Sequence, residues 1–123
     1  MGLDIDGPRV DLADVEREML TVEQRLEGEG SRIVAALIRV RDVHGVSNGP
    51  SFVRFARAFI DRHEQLRRIA IFAERSFVVR AIADPIALMS PRVALRLFPA
   101  EVAANGWIAE VDATFQPPAP RPP

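Results

Sequence analysis

The chain reads as an α/β domain with a mainly parallel four-stranded sheet built from βα repeats, and three observations carry that reading. Two short apolar runs, Ile33-Val-Ala-Ala-Leu-Ile38 and Arg67-Arg-Ile-Ala-Ile-Phe72, each stop abruptly at polar residues, as buried strands do where they meet loops. Neither run alternates polar with apolar, so both faces of each strand are expected to be covered, as in a parallel sheet between helices. Between them lies a stretch with helical periodicity, which completes a βαβ unit.

Taken in order, Leu3 to Ile5 predicts a short opening strand. Asp11-Leu-Ala-Asp14 predicts a helix start with Asp11 as N-cap. Leu12, Val15, Met19, Val22 and Leu26 recur at three and four residues and define one buried face, with Glu16, Arg17, Glu23 and Glu27 expected to point away. Gly28 and Gly30 end this helix. Ile33 to Val40 is the next strand, and its exit loop runs from Arg41 to Pro50, with Gly45, Asn48 and Gly49 as turn residues. Pro50 suits the first position of a second helix, whose buried stripe is Phe52, Phe55, Ala56, Phe59 and Ile60. The strand Arg67 to Phe72 follows. A third helix is expected from near Ser76 to Ala83, carrying Phe77, Val78, Ala81 and Ile82 and halted by Asp84-Pro85, because the residue before proline is pushed out of helical geometry. Ile86 to Pro91 reads either as a short helix or as an apolar connection. Val93, Leu95 and Leu97 alternate with Ala94 and Arg96, as in a peripheral strand. Pro99-Ala-Glu101 opens a last helix with Ala103, Trp107, Ile108 and Val111 inward.

The 123 residues are enough for one domain with a real core. Residues 1–114 are assigned to it, and 115–123 to a Pro-rich flexible tail. The chain has no Cys, which removes thiolate catalysis, disulfides and Cys-based zinc sites and fits a reducing, cytoplasmic compartment. No apolar run reaches the roughly 20 residues of a membrane helix, and the N-terminus lacks the basic and apolar regions of a leader. All 16 basic residues are Arg, and they are unevenly placed. Residues 1–30 carry 9 acids and 3 Arg, whereas residues 31–98 carry 12 Arg and 5 acids. In a compact domain the acidic helix is expected to neutralise the basic surface, and no aromatic residues are interleaved with the Arg as in a nucleic-acid stacking platform. Nucleic acid is therefore not an expected partner.

Motifs of catalysis are missing: neither common phosphate-binding glycine signature, nor Gly-x-Ser-x-Gly, nor His-Glu-x-x-His occurs. Asp42 with His44, and His63 with Glu64, are the His and carboxylate neighbours in sequence. His63 falls near the end of the second helix, where a cation suits the helix dipole.

The order of pieces resembles the SpoIIAA-like family, small bacterial relatives of STAS and SEC14 (CRAL-TRIO) domains, from Gly7 to Val111. The matching stretches are Gly7-Pro-Arg-Val-Asp-Leu-Ala-Asp14, Arg41-Asp-Val-His-Gly45 and Arg68-Ile-Ala-Ile-Phe72, then Glu74-Arg-Ser-Phe77, Val93-Ala-Leu-Arg-Leu-Phe98 and Ala104-Asn-Gly-Trp-Ile108. Members of the family usually open on a longer strand pair, so a truncated first strand is implied here. In STAS antagonists of anti-sigma factors a phosphorylatable Ser follows an Asp in the loop after the corresponding strand. Ser47-Asn-Gly-Pro-Ser51 has no such pair, and Val46 stands where the SpoIIAA-like group often has an aromatic. The resemblance implies a non-enzymatic binding or regulatory domain that acts through a protein partner or a small apolar or anionic ligand, with a homodimer compatible and no cofactor, metal or catalytic residue. The alternatives are a small hydrolase using His44 and Ser47, and a basic-surfaced nucleic-acid binder.

The expected ligand site follows from the sheet. Ligands of open α/β sheets collect beyond the carboxyl ends of the strands, where the loops Arg41 to Pro50 and Ala73 to Ser76 should be neighbours. Arg41, His44, Ser47, Arg75 and Ser76 would supply side-chain donors, Gly49 and Ser51 backbone amides at a helix start, and Phe77 an apolar wall.

Overall fold

The computed structural model describes residues 1–6, 9–30, 32–41, 43, 45–46, 49–73 and 77–117. Its elements in chain order are β1 (Gly2–Asp6), β2 (Arg9–Val10), α1 (Leu12–Gly28), β3 (Ala35–Arg41), β4 (Gly45–Val46), α2 (Gly49–Arg62), β5 (Arg68–Ala73), α3 (Phe77–Met89), β6 (Ala94–Phe98) and α4 (Glu101–Ala109). The main sheet has the order β1-β3-β5-β6, and each neighbouring pair is parallel. The α/β class and the parallel four-stranded sheet are therefore as the apolar runs indicate. Beyond the carboxyl ends of β1 and β3, β2 and β4 form a separate two-stranded parallel pair that the periodicity did not foretell.

Because side chains alternate along a strand, each face of the sheet has its own core. Leu3, Ala36, Val40, Ile69 and Ile71 face α1, α2 and α3, where they meet Val15, Met19, Phe52, Phe59, Val79 and Ile86. Ala35, Leu37 and Ala70 face the opposite way and meet Ala104 and Ile108 of α4, with Phe72, Phe98, Trp107, Val111 and Phe115 packed around them. Phe115, counted with the tail on composition, thus packs on the domain; residues 118–123 lie outside the described residues.

The short α4 leaves the β1 side of its face to charged groups. Arg39, in the middle of β3, is buried there and donates from Nε and Nη2 to the two carboxylate oxygens of Asp4 at 2.6 and 2.9 Å, and from Nη1 to Glu101 at 2.8 Å. The paired bonds to Asp4 raise the guanidinium's proton affinity above its ordinary value; burial opposes this, and Glu101 adds to it. Arg62 with Glu23 and Arg68 with Glu110 are further internal pairs. Arg92 donates to the carbonyls of Ile60, His63, Glu64 and Leu66, tying the last turn of α2 and the connection after it to the start of β6. Among the described Arg of the basic segment only Arg39 is buried, and most of the others remain exposed.

Several expectations are corrected. Asp11 does cap α1, its Oδ1 accepting from the Ala13 amide at 3.1 Å, and Val15 and Met19 are buried as the spacing predicts. Glu23, however, does not point away but is buried. The third helix does not stop at Asp84: α3 runs on to Met89 with Pro85 inside it. The cost of a proline, one lost backbone bond and a steric clash, is offset by the burial of Ile86, the next residue, in the core. Phe77 and Ala81 lie on the exposed side of α3, and it is Val79, Ala83 and Ile86 that are buried. In α4 the inward residue is Ala104 rather than Ala103, one position from the expected one.

Candidate functional site

The two loops singled out from the sequence leave the same edge of the sheet side by side, since Val40 of β3 is in register with Ala73 of β5. Of the residues expected there, His44, Ser47, Arg75 and Ser76 lie outside the described residues. Arg41 ends β3 in register with Asp6 and is half-buried. Ser51 Oγ accepts from Arg54 Nη2 at 2.9 Å, a bond within α2. Gly49 is a point of close approach to α3, because a Cβ there would stand 3.1 Å from Ile82 Cδ1. Phe77 is 87% exposed. The described members of the set therefore join β3, α2 and α3 at one edge of the sheet.

Beneath these loops, between the sheet and α1 to α3, the structure contains an apolar cavity of about 130 Å³. Its floor is Leu3 and Ile5 of β1, Ala36, Ile38 and Val40 of β3, and Ile69 and Ile71 of β5. Its roof is Val15 and Met19 of α1, Phe52, Phe55, Ala56 and Phe59 of α2, and Val79, Ile82, Ala83 and Ile86 of α3, with Val10 and Val43 at the loop end. Every lining residue is apolar. Ile38 occupies the middle of a central strand, flanked on its face by the buried Ala36 and Val40, yet it is only half-buried. The helices therefore stand apart above it: α2 and α3 pack closely, whereas α1 and α2 touch sparsely. Enclosed volumes of this size lined by Ile, Leu and Phe accommodate a benzene-sized solute, and this one is in addition partly open to the surface.

At the other end of α2 a polar cluster joins α1 to α2. The Glu23 side chain, 7% exposed, accepts from Arg62 Nη2 at 2.9 Å and lies 2.8 Å from His63 Nε2. Burial pushes the Glu23 carboxyl up, but the bonds and charges of Arg62 and His63 outweigh it and hold the group below the usual carboxylate range. The His63 ring also packs on Phe59, centroid to centroid 4.6 Å, and Phe59 lines the cavity. The cluster ties α1 to α2 at the end of the helix pair away from the loops. Glu64 is the neighbour of His63 in sequence, but the carboxylate that His63 meets in the fold is Glu23. The signal was present in the spacing: Glu23 continues Val15 and Met19 at intervals of four, and His63 continues Phe59, so an acid and an imidazole sit at the ends of two apolar stripes.

Among the described residues no group of three His, Asp or Glu converges as a metal site, and no helix is long and apolar enough to cross a membrane. No family model, curated protein or solved structure matches the chain.

Proposed function

We propose that this chain is a non-enzymatic binding domain of the STAS/SEC14-like kind that takes a small apolar molecule, or the apolar end of a larger one, into the cavity beneath α1 to α3. The observation that supports this reading is a hydrocarbon-lined space of about 130 Å³ in the middle of the core, beside a half-buried Ile38. Ordinary cores are packed to crystal density, and a void of this size forfeits dispersion contacts that a larger side chain would recover. With no polar atom to hold water, the space favours hydrocarbon. The sparse contact of α1 with α2 is the route of access, and the loops at the carboxyl ends of β3 and β5 lie where a polar end of the ligand would emerge.

The test is a titration of the purified chain with benzene, indole and octanoate, followed by methyl NMR at Ile38 and Ile71 and by thermal melting. Binding shifts those methyls and raises the melting temperature with ligand concentration. If no probe moves either methyl up to its solubility, the reading fails.

A further inference from the structure

The outer side of α3 is unusually apolar for a surface. Phe77 and Leu88 are 87% and 83% exposed, and with Ala81 and Asp84 they form a stripe stepping by four, three and four residues. That spacing is the seam of two packed helices. The stripe lies on the side of α3 opposite Val79, Ala83 and Ile86, so it is independent of the cavity and of any ligand in it.

We infer that this stripe is the contact of an isologous dimer, in which α3 of one copy lies antiparallel on α3 of another. The argument is self-complementarity. Phe77 and Leu88 stand eleven residues apart, about 16 Å along a helix, and Ala81 and Asp84 are placed symmetrically between them. A two-fold axis through the middle of the stripe puts Phe77 of each copy on Leu88 of the other, and Ala81 across from Asp84. Arg80, exposed at the flank of Ala81, then reaches Asp84 of the second copy, twice over by symmetry. The small Ala81 lets the backbones approach. A parallel pairing would set Arg80 against Arg80 and Asp84 against Asp84, so the charges select the antiparallel one. The stripe is small beside the roughly 1,200 to 2,000 Å² of a standard interface, so the dimer is weak and depends on concentration.

Sedimentation equilibrium of the full chain tests this, with far-UV circular dichroism confirming that each variant is folded. The wild type dimerises below about 1 mM, and Phe77→Ser and Leu88→Ser each weaken the dimer by about tenfold or more. Arg80→Asp weakens it by a similar factor, and adding Asp84→Arg to the same chain restores it. A wild type that is monomeric to about 1 mM overturns the inference. So does a dimer indifferent to Phe77→Ser and Arg80→Asp, or a charge-reversed pair that fails to restore association.

Discussion

The Glu23 carboxylate lies 2.8 Å from His63 Nε2, forty residues on in the chain, and through this contact α1 is fixed to the end of α2. With Arg62 donating to the same carboxylate, the buried acid has two partners, and removing it leaves the mostly buried imidazole without its carboxylate while Arg62 stays in reach of solvent. Glu23→Ala is expected to cost about 1.5 to 3 kcal/mol at neutral pH, measured by urea unfolding.

The same pair sets a pH dependence. Because the folded carboxyl titrates below its ordinary value of 4.5, its contribution is complete above that value and disappears as pH falls through the lower, folded one. The difference in stability between wild type and Glu23→Gln should therefore shrink as pH falls below the ordinary carboxylate range. A difference that grew on acidification would mean that the carboxyl is protonated in the folded state.

How much of this was legible in the sequence depended on how local the deciding physics is. The stripes of α1 and α2 and the apolar strands follow from periodicity, and Asp11 caps α1 because capping involves only its own turn. Glu23 was misread because its polarity suggests solvent, while the partners that make burial tolerable come from another helix. Pro85 was misread for the converse reason, since a local rule against proline yields to the burial of Ile86 beyond it. The cavity had no sequence signal at all: a void is a difference between helix positions, and Phe52, Phe55 and Phe59 would read as core whether or not they met. The loop residues Arg41 and Gly49 are at the expected edge of the sheet, but their side-chain and backbone partners are properties of the folded loops and not of the motif.

Pro85 offers a direct measure of that competition. Within α3 it has no amide to give the Ala81 carbonyl, so Pro85→Ala restores one helical bond and relieves a clash. Part of the gain is offset because the unfolded chain becomes freer. A net stabilisation of about 1 to 2 kcal/mol is expected by urea unfolding. Destabilisation would show instead that the ring's packing outweighs the lost bond.

Near the carboxyl terminus, Phe115 joins Trp107 and Val111 around the α4 core. Residues 116–123 are five Pro with one Gln, one Ala and one Arg, a composition that offers no apolar stripe. Ending the chain after Phe115 should leave the melting temperature nearly unchanged, whereas Phe115→Ala should cost about 1 kcal/mol from lost burial. A drop of many degrees on deleting the last residues would mean that they dock on the domain or on a second copy.

The cavity itself can be probed from both sides by two residues one turn apart in α2. Phe59 is buried against the sheet and packs at a tilt on His63, and its truncation to Ala would enlarge a space that already fails to collapse. Phe59→Ala should therefore cost about 3 to 5 kcal/mol. Ala56, three residues earlier, also lines the cavity, and changing it to Leu adds three carbons, which the existing volume of about 130 Å³ accommodates. Helix propensity is nearly the same for the two residues, so the outcome reports packing. Ala56→Leu is expected to stabilise the free protein by about 1 kcal/mol while abolishing the methyl shifts that apolar probes produce at Ile38 and Ile71. If Ala56→Leu instead destabilises by the 1 to 3 kcal/mol typical of overpacking, the helices are closer in solution than the cavity requires, and a ligand must enter elsewhere.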